Sequence, residues 1–178
     1  MLTKVIHKNP ATSSDYYTRN LAVDDYYFDG KAILGRYFGL LKEELGLPNV
    51  VSKKTFSSLM YGKHPSSGKF LSQRQIQNRR SAYELCFSAP KSFSLVFMFS
   101  DRRTRMKMMR LHRRAIQHAM REFEKMAMTQ TRVEGRKAYN KTGNLIWCRF
   151  DHLTSRPVEL KRNHIGEFAS DMNIHSHV

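Results

Sequence analysis

The chain has 178 residues, with 31 Lys or Arg against 15 Asp or Glu, so its formal net charge is +16. At 40% apolar residues it can bury a core, which excludes a disordered basic tail. No stretch approaches the roughly 20 apolar residues of a membrane span, and the N-terminus lacks the plan of a signal peptide. We therefore expect a soluble, globular, cytoplasmic protein, and a pI near 10.2 indicates a nucleic-acid partner.

The first part of the chain alternates a predicted strand with predicted helices. Residues 2–7 alternate apolar and polar side chains, which favours a strand. A serine cap at residues 13–14 is expected to begin a short helix. Apolar residues at helical spacing predict another helix over Ile33–Leu45, and Ser52–Gly62 has the cap and the glycine end of a third.

The middle of the chain contains the longest predicted element, a helix over residues 102–129. It follows a polar loop at 63–81, a strand at 83–87, and a segment at 93–99 that fits either a strand or a helix. One face of the long helix is apolar and predicted to be core: Met106, Met109, Ile116, Met120, Phe123 and Ala127. The opposite face is basic, and the sequence alone leaves it open whether that face is solvated or contacts nucleic acid.

The last third of the chain is predicted to form strands. Residues 131–139 and 145–152 are predicted strands joined by a turn at 140–143, and Met172–Val178 alternates again. A strand repeats every two residues, so His175 and His177 project to the same side.

Two groups of residues can do chemistry. His152, His175 and His177 suit a divalent metal beside a phosphate, although surface histidines are the other interpretation. The pairs Tyr16-Tyr17 and Tyr26-Tyr27 each follow an aspartate. A tyrosine with a pKa near 10 needs help to act as a nucleophile, and aromatic packing is the alternative.

Seven segments, in order, resemble the conjugative relaxase domain of the MobF type, found in plasmid-transfer nickase–helicases. The most specific match is the F-S-A-P-K-S motif. The segments are Asp15-Tyr16-Tyr17, Asp24-Asp25-Tyr26-Tyr27, Glu43-Glu44-Leu45-Gly46-Leu47, Phe87-Ser88-Ala89-Pro90-Lys91-Ser92, Thr142-Gly143-Asn144-Leu145, Asp151-His152-Leu153-Thr154-Ser155-Arg156 and His175-Ser176-His177.

This resemblance implies an α+β fold, in which helices flank a central antiparallel β-sheet (the HUH relaxase fold). The strands that carry the histidines would lie in the middle of the sheet, with the tyrosine helix packed over them. Residues 1–178 would be the N-terminal portion of one relaxase domain, without the helicase domain.

The resemblance also implies roles for individual residues. Tyr16 would be the nucleophile and Tyr26 the second nucleophile, used at termination of transfer. Glu84 would assist the tyrosine or orient a histidine. The three histidines would hold Mg²⁺ or Mn²⁺, the second being favoured because magnesium prefers oxygen ligands.

The implied activity is site- and strand-specific nicking of DNA at a plasmid transfer origin, through a 5′-phosphotyrosine intermediate. The implied partners are single-stranded DNA, accessory relaxosome proteins and a type IV secretion system, for a monomer in the bacterial cytoplasm. Position and charge nominate these residues for DNA contact: Tyr17, Tyr27, Lys91, Arg102, Arg103, Lys107, Arg110, Arg113, Arg114, Arg156, Lys161 and Arg162.

Some features depart from the family pattern. Glu84 stands where the family has Asp, and the stretch between His152 and His175 is longer than usual. Because the chain ends one residue after His177, we expect weak or absent nicking by residues 1–178 alone. The rival functions are a non-catalytic basic module that binds single-stranded DNA or RNA and, more distantly, a zinc hydrolase.

Overall fold

The computed structural model describes residues 1–11, 35–72, 80–155, 158–159 and 168–178. Both tyrosine pairs and the helix predicted to begin at residues 13–14 lie outside the described residues. The nominated DNA-contact residues outside the described part of the chain are therefore five: Tyr17, Tyr27, Arg156, Lys161 and Arg162.

A five-stranded antiparallel sheet forms the centre of the molecule, in the order β1-β3-β9-β6-β2. Its strands are β1 (Leu2–His7), β2 (Arg36–Phe38), β3 (Ala82–Ser88), β6 (Trp147–Thr154) and β9 (Met172–His177). Two small antiparallel pairs lie apart from it: β4 (Met128–Val133) with β5 (Arg136–Lys141), and β7 (Val158–Glu159) with β8 (Phe168–Ala169). The expected α+β class with a central antiparallel sheet is confirmed.

The two faces of this sheet have different chemistry because side chains alternate along each strand. On β9, Met172, Ile174 and Ser176 are buried, whereas Asn173, His175 and His177 are only partly buried. The neighbouring strand β6 is in register with it, with His152 opposite His175 and Asp151 opposite Ser176. The sheet therefore has one closed face and one partly open face, and the histidines lie on the second.

Two helices cover the closed face: α3 (Lys91–Phe99) and α4 (Arg102–Lys125). Phe97 and Met109 from these helices pack with Leu153 and Ile174 from the sheet in one buried cluster. Ile116 and Met120, further along α4, pack with Trp147 in a second cluster. No helix among the described residues is long and apolar enough to cross a bilayer.

A third cluster lies on the partly open face, at the end of the sheet where β2 pairs with β6. Tyr37 and Phe150 meet Phe56 and Met60 there, and the last two belong to helix α2 (Lys53–Met60). This helix begins with the expected serine cap, which accepts a hydrogen bond from the backbone N–H of Thr55. A shorter helix, α1, spans Leu40–Glu44.

The helix predicted over Ile33–Leu45 is wrong for its described part. Residues 36–38 form β2, which adds to the free edge of β6, and α1 begins only after Gly39. That glycine has φ +94, and a Cβ there would lie 2.2 Å from the carbonyl oxygen of Leu145, so no other residue fits the close approach. In the described part of the chain, the apolar residues that suggested one helix are divided between the strand β2 and the short helix α1.

The long helix is confirmed but ends at Lys125 rather than at residue 129. Of its predicted apolar face, Met106 and Phe123 are exposed, at 48% and 38% of their surface, whereas Met109, Ile116 and Met120 are buried. The ambiguous segment at 93–99 belongs to α3.

The single strand predicted over 131–139 is wrong, because the chain folds there into the β4–β5 hairpin. Glu134 and Gly135 both have positive φ, of 50 and 78, as a two-residue type I′ turn requires. A glutamate is unusual at the first of these positions, so the local pattern contains little sign of the turn. The predicted turn at 140–143 instead includes the end of β5.

Leu153→Ala tests the buried cluster that attaches the helices to the sheet. Leu153 has no exposed surface, so the substitution leaves a cavity and should lower the free energy of unfolding by about 2–5 kcal/mol. Urea denaturation followed by circular dichroism measures this decrease. The matched control is Leu111→Ala on α4, where the leucine is 59% exposed and the change should stay within about 0.5 kcal/mol. Equal decreases for the two variants would contradict the packing described.

Candidate metal centre

Three histidines form a compact group on the partly open face of the sheet. His152 lies on β6, and His175 and His177 lie on the adjacent strand β9. The ring centroid of His152 is 5.1 Å from that of His175 and 5.2 Å from that of His177. The centroids of His175 and His177 are 5.1 Å apart. The structure thus brings together the three residues that the sequence nominated as metal ligands.

Hydrogen bonds orient two of the three rings. The Nδ1 of His177 lies 2.5 Å from Oε1 of Glu84 on β3, and the Nδ1 of His175 lies 2.8 Å from the carbonyl oxygen of Asn173. Both oxygens are acceptors, so each Nδ1 carries the proton, and in a neutral ring Nε2 then has the lone pair. This is the usual way in which a second layer of residues prepares histidines for a metal.

Glu84 contacts a further histidine that the sequence did not nominate. Its second oxygen, Oε2, lies 2.7 Å from Nε2 of His7 at the end of β1. The carboxylate therefore bridges two histidines from two different strands. Of the two roles that the resemblance offered Glu84, the contact with His177 corresponds to orienting a histidine.

Burial keeps two of these rings uncharged. Burial, together with smaller contributions from the neighbouring His175 and His177, lowers the pKa of His152 to about 4. Burial is also the main cause that lowers the pKa of His175. Near neutral pH both rings are therefore neutral, which is the form that binds metal.

Imidazole nitrogens suit a divalent transition metal, but the three rings are not oriented towards one common point. His152 and His175 are stacked with 21° between their planes, and two stacked, nearly parallel planes do not meet close to the rings. In agreement, no three His, Cys, Asp or Glu side chains among the described residues are arranged as metal ligands. An ion shared by all three rings requires one of the stacked rings to rotate.

The basic residues of α4 lie on the other side of the sheet. The helix packs on the closed face, against Leu153 and Ile174, whereas the histidines project from the partly open face. The nominated residues Arg102, Arg103, Lys107, Arg110, Arg113 and Arg114 are all on this helix. A nucleic acid that touches both groups must therefore pass around the sheet.

Among the nominated cations, Lys91 and Arg113 form contacts within the protein. Lys91, the first residue of α3, forms an ion pair with Asp171 and donates to the carbonyl oxygen of Met172 at 3.0 Å. Arg113 donates from Nε to Oδ2 of Asp151 at 2.8 Å. Both contacts connect a helix to the strands that carry the histidines.

A polar group that the sequence did not indicate lies beneath the histidines, on the closed face of the sheet. It contains Asp151, Ser176 and His112, with Arg113 from the nominated set. Asp151 and Ser176 belong to the two histidine motifs, so their strand positions could have placed them together. His112 had no comparable signal, because it lies on a different element, far away in sequence.

Comparison with known proteins shows which family of proteins the chain resembles. A family model described as TrwC relaxase matches residues 10–178. A multifunctional conjugation protein TraI from Escherichia coli is 32% identical over 180 residues, which cover 100% of this chain and 9% of the relative. A TraI from Escherichia coli strain K12 is 34% identical over 154 residues, covering 85% of this chain and 8% of the relative.

Solved structures of the conjugative relaxase TrwC in complex with oriT DNA have the same fold. A metal-bound form superposes with a TM-score of 0.74 at 27% identity, over 99% of this chain and 55% of the solved chain. A copper-bound form gives 0.75 at 28% identity, over 99% and 56%. This chain thus spans about half of those chains and under a tenth of the TraI relatives. The match over residues 10–178, together with the TraI alignment along the whole chain, makes the resemblance to MobF-type relaxases a confirmed one: the chain belongs to the TrwC relaxase family.

Proposed function

We propose that this chain is the DNA-nicking portion of a conjugative relaxase, which cuts one strand of DNA at a plasmid transfer origin. The observation that carries the proposal is the group of three histidines at the centre of the sheet, in a chain of the TrwC relaxase family. The relatives named TrwC were solved in complex with oriT DNA, which supports single-stranded DNA at an origin as the substrate here.

The proposed reaction is a transesterification at phosphorus. The phenol oxygen of Tyr16 forms a bond to the scissile phosphorus, and the bond from phosphorus to the 3′ oxygen breaks. The phenolic proton passes to a base, and the 3′ oxygen leaves as a hydroxyl after it gains a proton. The DNA stays on the protein as a 5′-phosphotyrosine, so attack by a 3′-hydroxyl reseals it without ATP. Tyr26 would serve as the second nucleophile when transfer ends.

His152, His175 and His177 would hold the divalent cation, with Mg²⁺ or Mn²⁺ as the proposed ions. When bound, the cation would neutralise the charge of the phosphodiester and polarise it towards attack. The chain's own contribution is orientation: Glu84 and the carbonyl oxygen of Asn173 hold two rings with Nε2 as the ligand atom. Burial keeps His152 and His175 unprotonated and ready to bind.

The basic face of α4 would hold the DNA strand away from the reaction centre. The cations Arg103, Lys107, Arg110, Arg114 and Arg121 recur at helical spacing and are all exposed, so they form one stripe along the helix. This stripe would bind phosphates without reading their sequence. Accessory relaxosome proteins and a type IV secretion system are the further partners that we propose, in the bacterial cytoplasm.

The covalent intermediate is the decisive test of the nicking activity. A randomised pool of single-stranded oligonucleotides is incubated with the chain and Mn²⁺, then resolved on a denaturing gel. We expect a small yield of adduct that retains a 3′-end label and releases a 5′-end label, because Tyr16 would keep the 5′-phosphate. Tyr16→Phe should abolish the adduct, since the phenol oxygen is the attacking atom.

The matched control is Tyr139→Phe, which removes a phenol that is 65% exposed on β5 and should leave the yield unchanged. An adduct that persists in Tyr16→Phe would show that the nucleophile is misassigned. Salt-sensitive DNA binding without any adduct would favour the non-catalytic binding module.

Metal affinity tests the histidine site directly. Isothermal titration with Mn²⁺ should give one site per chain, which His177→Ala removes because only two of the three ligands remain. Glu84→Gln should weaken binding by about 10- to 100-fold, as expected when a carboxylate that orients a ligand is removed. His118→Ala on the exposed surface of α4 is the control and should bind as the parent does. Unchanged affinity in His177→Ala would refute the assignment.

The salt dependence of DNA binding tests the stripe on α4. The double variant Arg110→Gln, Arg114→Gln should bind single-stranded DNA more weakly. The slope of log affinity against log salt concentration should become shallower by about 0.7 for each phosphate that the variant no longer neutralises. Fluorescence anisotropy between low and moderate salt measures the slope. The control removes the same charge from the exposed start of α2, with Lys53→Gln and Lys54→Gln. Equal slopes for the two double variants would argue against a role for the stripe.

A further inference from the structure

A buried polar cluster lies directly beneath the three histidines, on the closed face of the sheet. Ser176 has no exposed surface, and Asp151 and Arg149 are only 7% and 8% exposed. The neighbouring positions on this face, Leu153 and Ile174, are fully buried and apolar. Burying a carboxylate among such residues is costly unless it is paired and hydrogen-bonded, so the contacts of this cluster are informative.

The hydrogen bonds of the cluster run in one direction and end on Asp151. The hydroxyl of Ser176 donates to Oδ1 of Asp151 at 2.6 Å. Its only proton is then used, so Nε2 of His112, at 3.1 Å, must be the donor to the Ser176 oxygen. Arg113 donates to the other carboxylate oxygen, Oδ2, at 2.8 Å.

Arg149 adds charge to the cluster without a directed hydrogen bond. Its Nε lies 3.0 Å from Oδ1 of Asp151, but it has no hydrogen-bond partner, so the contact is an ion pair of poor alignment. Asp151 is thus held by a serine from β9 and by an arginine from α4, and the histidine behind the serine comes from α4 as well.

The position of the cluster connects it to the metal centre. Asp151 and Ser176 are partners across the β6–β9 ladder, and the next pair along the ladder is His152 with His175. Beyond that pair the ladder has an irregularity between His152 and Thr154, and pairing resumes at Thr154 with Met172, so the ligand pair lies where the regular backbone register ends. The hydrogen bond between the side chains of Asp151 and Ser176 therefore joins the two strands one position away from the ligand pair.

We propose that Ser176 and Asp151, supported by His112 and Arg113 from α4, are positioning residues that set the register and spacing of the metal ligands on β6 and β9. This inference rests on the proposed function, in which His152, His175 and His177 hold a divalent cation. Apolar side chains at the same positions would hold the strands together by contact area, which has no direction. Hydrogen bonds that end on one carboxylate fix one strand against the other.

Ser176→Ala is the variant that tests the inference, with two readouts on the whole chain. The first is Mn²⁺ affinity by titration, and the second is the visible absorption of bound Co²⁺, which reports the ligand geometry. We expect Ser176→Ala to raise the Mn²⁺ dissociation constant about tenfold and to change the Co²⁺ spectrum. Ser176→Thr keeps the hydroxyl and should restore both.

The matched control is Ser94→Ala on α3. Ser94 is equally buried, and its hydroxyl accepts from the backbone N–H of Ile174 on β9 at 3.0 Å, a bond that does not involve β6. The two alanine variants should have similar urea midpoints. We expect Ser94→Ala to keep the parent Co²⁺ spectrum and a dissociation constant within about threefold of the parent value.

Results other than those expected would overturn either the inference or the proposed metal site. Parent-like affinity and spectrum in Ser176→Ala would overturn the inference and leave the metal site intact, and so would equal weakening in Ser94→Ala. A folded parent chain that binds neither Mn²⁺ nor Co²⁺ would instead overturn the proposed metal site, and the inference with it. If Ser176→Ala does not fold, His112→Leu replaces it, with about threefold weaker binding and an altered spectrum expected. Parent-like behaviour of that variant would overturn the inference.

Discussion

The antiparallel ladder between β6 and β9 decides where the chemistry of this protein lies. Because side chains alternate along both strands, one pair of opposed residues, His152 and His175, reaches the partly open face. The adjacent pair, Asp151 and Ser176, is buried beneath α4. A shift by one residue in either strand would exchange these faces and place imidazoles in the apolar core. Nearly every other feature, from the position of α4 to the role of Glu84, depends on this pairing.

The acidic residues near this ladder have an unusual importance in a chain with twice as many cations as anions. Glu84 accepts from histidines on two strands, and Asp151 accepts from a serine and an arginine on different elements. Each carboxylate thus cross-links separate parts of the fold and orients donors there. In the part of the chain that the structure describes, most cations lie on exposed surfaces such as α4, where water solvates them and a polyanion can reach them.

The sequence predicted the parts of the fold that local patterns control. The strands around residues 2–7 and 172–177 alternate clearly, and the long helix has one apolar face, so they were predicted close to their observed bounds. The H-x-H spacing also predicted which histidines share a face.

The strand β2 was missed because it has only three residues, which is too short to show a period. Gly39 ends the predicted helix because the backbone at Leu145 comes so close to it. The contacts from His7 to Glu84 and from His112 to Ser176 join residues 77 and 64 positions apart, and no local pattern encodes such pairs.

The order of strands in the sheet has a consequence for how the molecule assembles. β1 with β3 forms one half of the sheet and β6 with β2 the other, and β9 is the strand that joins them. Cys86 and His177 pair across this junction although 91 positions separate them, so chain entropy opposes the docking of β9. Any ligand that bridges His152 with the two histidines of β9 favours the docked strand by mass action. In such a sheet, binding of a ligand at the histidines and docking of β9 are thermodynamically linked, so that each favours the other.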